Sequence, residues 1–168
     1  MPQPHRAGRA ACAVMAVLMV GAGASRAGLA ADDAVSRLAG RWAGQGTVTS
    51  TRGPTESFKC VVNYLPGGDP RRVQQNLRCS NDTFKLDAAT HLQFDGNRVS
   101  GRWEDKIHDL EGVVTGDLRE DGFSILLAGR FFQATMDVKG NDCAQSVKVA
   151  PTRGGQDIRE ISAALRRC

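Results

Sequence analysis

No stretch of this sequence reaches the roughly 20 apolar residues that a membrane-spanning helix needs. The longest apolar run, from Ala10 to Ala22, falls short of that length. Markers of common chemistry are also missing. There is no CxxC pair, Walker-type loop or dinucleotide fingerprint, and Ser124 in Gly122-Phe123-Ser124-Ile125 lacks the G-x-S-x-G elbow of a hydrolase nucleophile. Only four methionines occur, and Met15 and Met19 fall in the first thirty residues, so a methionine metal site is excluded. Lysine is scarce, five against 17 arginines, a bias that points to a GC-rich bacterial genome. No internal repeat, low-complexity tract or linker interrupts the chain.

The N-terminus has the tripartite form of a secretory signal. Arg6 and Arg9 make a positive start, the apolar run follows, and small residues lead to Ala30 and Ala31. Gly28-Leu29-Ala30 and Leu29-Ala30-Ala31 both fit a cleavage site. Cys12 begins the apolar run and is expected to leave with the signal. The domain division that follows is a signal peptide at 1–30 and one domain at 31–168, exported to the periplasm or secreted. Cleavage also removes Arg6, Arg9 and Arg26, three of the 22 basic residues and none of the 18 acidic ones, which leaves 19 basic and a formal charge of +1. The basicity of the whole chain is therefore mostly an export feature. It gives no argument for nucleic acid or for stable membrane insertion once the signal is gone.

Cys60, Cys79, Cys143 and Cys168 remain, and an even count in an exported domain points to disulfides. Wide spacing, with only His91 and His108 to help, speaks against zinc. Phe58, Cys60, Val62 and Tyr64 alternate along one segment, and Val73, Gln75, Leu77 and Cys79 along the next. Pro66-Gly67-Gly68-Asp69-Pro70 between them is a turn. Placing Cys60 opposite Cys79 also sets Val62 against Leu77 and Tyr64 against Gln75, so the apolar side chains share one face. Directly opposed strand residues lie within disulfide reach. The pairs expected are Cys60–Cys79 and, by elimination, Cys143–Cys168. The second raises a difficulty: with Cys143 opposite Cys168, Val147 and Val149 face away from Ile161 and Leu165. A bulge or a short terminal helix would resolve that.

The rest reads as antiparallel sheet. Trp42 to Ser50 suits a strand. Leu92 to Phe94 and Val99 to Trp103 flank Gly96-Asn97, which suits a type II′ hairpin with Phe94 opposite Val99. Gly112 to Leu118 and Phe123 to Ala128 flank another turn, and Phe132, Ala134, Met136 and Val138 alternate with Phe131, Gln133, Thr135 and Asp137. Ile158 to Leu165 fits either a strand or a helix, and a strand would close the sheet beside the first one. The expected fold is all-β, a single antiparallel up-and-down barrel or barrel-like sandwich of about eight to nine strands.

Leu38-Ala39-Gly40-Arg41-Trp42 resembles the G-x-W opening of the first strand in lipocalin-type (calycin) barrels. The resemblance implies a short helical turn before the motif, at Asp32 to Leu38, and an Arg over the Trp, here Arg166 or Arg167, in a cation–π contact. Small exported barrels with a similar start also include bacterial protease inhibitors.

Trp103-Glu104-Asp105-Lys106-Ile107-His108-Asp109, with Glu111 nearby, gathers carboxylates and an imidazole that metal binding or acid–base catalysis could use. The spacing matches no known metal loop, and a charged turn explains it as well. No catalytic residue, metal ligand or cofactor is assigned. The function expected is non-enzymatic binding, either of a small apolar ligand held near Trp42 and Trp103 or of a periplasmic protein in the manner of an inhibitor barrel. Intact-mass measurement of the exported protein should place its first residue between Gly28 and Asp33, and an uncleaved Met1 species in the periplasm would contradict the export reading.

Overall fold

A computed structural model describes residues 33, 35–155 and 157–168. The expected signal peptide lies outside them. Ten strands follow in order: β1 (Gly40–Ser50), β2 (Glu56–Pro66), β3 (Arg72–Ser80), β4 (Lys85–Asp95), β5 (Arg98–Asp105), β6 (Leu110–Arg119), β7 (Gly122–Gly129), β8 (Gln133–Gly140), β9 (Ala144–Arg153) and β10 (Ile158–Arg166). Each pairs antiparallel with its sequence neighbours, and β10 returns to β1, so the sheet is a closed barrel. Closure leaves no strand edge unpaired. Ile158 to Leu165 is thus strand, beside the first as expected, and the count is one above the upper expectation. The under-read element is β4, whose first half carries Asp87, Ala88 and Ala89, weak strand formers.

The two-residue period supplies the core. In β2 the inward side chains Phe58, Cys60, Val62 and Tyr64 are all buried, and their outward neighbours are not. Cys60 pairs with Cys79, Val62 with Leu77 and Tyr64 with Gln75, the register inferred from the hydrophobic faces, and the Cys60–Cys79 disulfide closes across it. Phe94 opposes Val99 across Gly96-Asn97. Gly96 has φ 57° while Asn97 keeps a negative φ, as a type II′ turn requires. Large interior side chains need gaps opposite them. A Cβ on Gly46 would come within 2.4 Å of the Phe58 ring, so a glycine in β1 is what admits that phenylalanine.

Cys143 and Cys168 are also bridged, but the register differs from the one that set them face to face. Leu165 opposes Gln145, Ala163 opposes Val147 and Ile161 opposes Val149, so the apolar residues of β9 and β10 share the inner face after all. Both cysteines stand just outside the ladder, Cys143 before β9 and Cys168 after β10, where strict register does not bind them.

The two ends of the barrel differ. At one end a helical turn over residues 35–38 puts Val35 and Leu38 into the core. Trp42, fully buried, donates its indole N–H to the Leu38 carbonyl at 2.8 Å. The Arg167 guanidinium lies 4.9 Å from the Trp42 ring centroid and donates to the carbonyls of Ala39 and Asp142. The helical turn and the cation over the tryptophan are those implied by the calycin resemblance, and the arginine is Arg167 rather than Arg166. A cation on an aromatic face adds about 0.5–1 kcal/mol at an exposed site. The opposite end carries the β5–β6 and β7–β8 loops and, among the described residues, no such plug.

Non-reducing peptide mapping should recover the Cys60–Cys79 linkage. Replacing both residues by Ser should lower unfolding free energy by about 2–5 kcal/mol in a denaturant titration, and a loss below about 1 kcal/mol would show that the bridge adds little to the hairpin.

Candidate functional site at the open end of the barrel

Trp103 points inward near the end of β5. Its neighbour across the ladder is Gly112 in β6, and Gly112 in turn pairs with Gly129 in β7. Cβ atoms at these glycines would lie 2.7 Å from the indole Nε1 and 3.2 Å from its Cζ2. The indole therefore lies across two bare backbone positions that no other residue type would leave open. Phe132, just before β8, meets it edge to face with centroids 5.9 Å apart and planes at 73°, a favourable aromatic geometry.

These two rings form one wall of a pocket of about 170 Å³, whose other sides are Leu110, Gly129, Asp109, Glu111, Arg130 and Phe131. At ~30 Å³ per water, that volume holds about five or six waters and is smaller than a drug-sized site. Phe131 is 68% exposed at the rim, with the Arg130 guanidinium 4.9 Å over its ring. Arg153 reaches from the end of β9 and donates to the carbonyls of Gly129, at 2.7 Å, and Arg130, at 3.4 Å, which ties the loop down from below. The indole N–H of Trp103 is buried and has no acceptor, alone in that respect among the buried side-chain polar atoms of the described residues. Leaving a buried donor unpaired costs about 1–3 kcal/mol, and such a group calls for an explanation beyond packing.

The β5–β6 loop borders the same pocket through Asp109. Asp105 is buried, and its Oδ1 accepts the Ile107 backbone N–H at 3.0 Å while Oδ2 stands 2.5 Å from His108 Nδ1. This is the one His–carboxylate pairing among the described residues of the acidic stretch singled out in the sequence. Glu104 instead forms an ion pair with Lys106 at 3.5 Å, and Asp109 turns away with φ 50° to line the pocket with Glu111. Among the described residues, no three His, Cys, Asp or Glu side chains come together as a metal set. His91 is an exposed residue of β4.

The barrel interior is largely occupied. Phe58, Phe94 and Phe123 are buried in it, with Phe94 and Phe123 in edge contact. A polar chain crosses it towards the plugged end: Gln75 donates to the Tyr64 hydroxyl at 3.2 Å, and that hydroxyl donates to Gln145 Oε1 at 3.3 Å. Burial pushes the Tyr64 phenol well above the usual tyrosine range, with the Gln75 hydrogen bond opposing the shift. Trp42, expected to share a ligand with Trp103, lines neither this pocket nor the small one of about 40 Å³ at the plugged end. Its N–H and its ring face are engaged by Leu38 and Arg167. The sequence reading missed Phe131 and Phe132 as mouth residues by placing them in a strand. β8 begins only at Gln133, and the signal available was the bulky Arg130-Phe131-Phe132 run directly after Gly129.

No protein-family model matches the chain, and no curated protein matches it. Solved structures do. Rv2717c from M. tuberculosis superposes with a TM-score of 0.69 at 14% identity, covering 82% of this chain and 97% of that one. The S-type phycobiliprotein lyase CPES from Guillardia theta superposes with a TM-score of 0.62 at 9% identity, covering 86% and 98%. At these identities the likeness is one of fold, a closed antiparallel β-barrel.

Tyr64 is the single tyrosine of the chain, so its ionisation can be followed without ambiguity. Its folded pKa is raised, so it contributes stability below the unfolded phenol value of about 10 and loses that contribution as pH rises beyond it. Tyrosinate absorbance should stay absent in the folded protein above pH ~10 and appear together with unfolding. A normal titration with the fold intact would show that the hydroxyl is reachable by water.

Proposed function

We propose that this chain is an exported, non-enzymatic binding protein whose open barrel end takes a small apolar ligand, and that Trp103 rather than Trp42 meets it. The observation that carries this reading is the pocket beside Trp103: a wall of two aromatic rings, Trp103 and Phe132, and an exposed phenylalanine at the rim. Apolar pockets with a few placed polar groups are the usual form of small-molecule sites, and barrel mouths are a usual place for them. Glycines at 112 and 129 support the same reading, since they seat the indole in the wall instead of letting it fill the space. With about 170 Å³ available, the pocket suits one ring or a short chain of a ligand whose remainder stays at the rim.

One structural neighbour is a phycobiliprotein lyase, which keeps a chemical role for such a barrel in view. The Asp105–His108 pair lies near the mouth but has no nucleophile or metal set beside it, so binding is preferred. A protein-binding role rests on Phe131 and Ile107, 68% and 50% exposed on adjacent loops of the same end. Exposed apolar side chains clustered on loops are what a partner would contact.

Tryptophan fluorescence separates the two. In a Trp42→Phe variant, emission comes from Trp103 alone. Titration with fatty acids, porphyrins and quinones should give a saturable change with at least one class. Adding Trp103→Ala to that variant should weaken that ligand about ten-fold or more by direct calorimetry, the loss of one buried aromatic contact. Silence towards all three classes would move the assignment to protein binding.

A further inference from the structure

The two disulfides occupy opposite environments. Cys60 and Cys79 are 3% and 6% exposed inside the barrel, sealed from any external thiol. Cys143 and Cys168 are both exposed on the outer surface of the plugged end. Disulfide exchange begins with attack of an external thiolate on a bridge sulfur, so access decides which bridge can react in the folded protein. The outer bridge also lies where the plug is fastened. Arg167, next to Cys168, donates its backbone N–H to the Cys143 carbonyl at 3.2 Å and its side chain to the carbonyls of Asp142 and Ala39, while covering Trp42. Cys143, Asp142 and Arg167 thus form one knot that holds the residues after β10 against the β8–β9 turn and the end of the helical turn.

We propose that Cys143–Cys168 is a thiol–disulfide exchange site, open to a dithiol reductant, whose state sets how firmly Arg167 clamps the plugged end. In the first step an external thiolate bonds to one bridge sulfur and the other cysteine leaves as thiolate. In the second step the reductant's other thiol displaces the protein sulfur. Two electrons and two protons pass from the dithiol, which becomes a disulfide, and Cys143 and Cys168 become thiols. Cys60–Cys79 is untouched. Reduction removes the covalent half of the knot and leaves Arg167 with hydrogen bonds alone, so the helical turn and the Trp42 N–H below it open more often. This site is independent of the ligand reading at the other end of the barrel.

The test uses the whole exported protein with dithiothreitol under native conditions, trapping free thiols with iodoacetamide and mapping them by peptide mass. The peptides of Cys143 and Cys168 should be alkylated at least roughly ten-fold faster than those of Cys60 and Cys79, the difference that access to the attacking thiolate makes. In the selectively reduced protein, solvent exchange of the Trp42 indole N–H, followed by NMR, should accelerate and return to its starting rate on reoxidation. A Cys143→Ser, Cys168→Ser variant should show the fast exchange without reductant. Equal alkylation of both pairs would show that reduction follows global unfolding. No alkylation short of unfolding would show that the outer bridge is not an exchange site. Selective reduction with an unchanged Trp42 exchange rate would break the link to the clamp. Any of these three overturns the proposal.

Discussion

β1 must find β10 across the whole length of the chain, and until it does, two rows of backbone donors and acceptors face water and every inner side chain has an open flank. From Ala43 against Arg166 to Thr49 against Glu160, seven consecutive positions pair before the ladder shifts between Thr49 and Ser50. That seam is what turns a long meander into a barrel, and the features of the plugged end depend on it. Trp42 lies one residue before Ala43 and Arg167 one residue past Arg166, the pair that ends the seam, so the cation reaches the indole only when β1 and β10 are zipped. The Cys143–Cys168 bridge then ties the strand after its last pair to the preceding turn.

Closure also explains why the two ends diverge. A barrel of this width has an interior that side chains can nearly fill, and here Trp42, Tyr64, Phe94 and Phe123 fill it near the plug. Their polar atoms are satisfied internally, Trp42 through Leu38 and Tyr64 through the two glutamines. Towards the other end the inner positions of β6 and β7 fall to glycine, at 112 and 129, and the large side chains come instead from Trp103 and the β7–β8 loop. Space and an unpaired donor appear together there.

Most of the fold was legible because alternation is a local signal. The Cys60–Cys79 hairpin could be placed to the residue, since shifting it by one position would have turned Val62 and Tyr64 outward. Gly96-Asn97 could be read for the same reason. Cys143–Cys168 was paired correctly, but the strand register drawn from it was off by one, because both cysteines lie beyond the ladder and a bridge there leaves the register free. The candidate site was less legible. Trp103 stood out as a large aromatic, yet what makes its surroundings a pocket is two glycines and a loop that meet it only through the pairing of β5, β6 and β7. Glycine has no side chain to signal a role, and acidic residues adjacent in sequence, Glu104 and Asp105, point to opposite sides of the sheet.

The central claim is that one tryptophan serves the plug and the other the site. The chain has two, so its NMR spectrum carries two indole N–H signals. Titration with a naphthoquinone, a single-ring-system probe of the pocket, tests the division directly. The signal of Trp103 should move in proportion to occupancy while that of Trp42, held by the Leu38 carbonyl beneath Arg167, stays in place. A shift confined to Trp42, or equal shifts of both, would contradict the account.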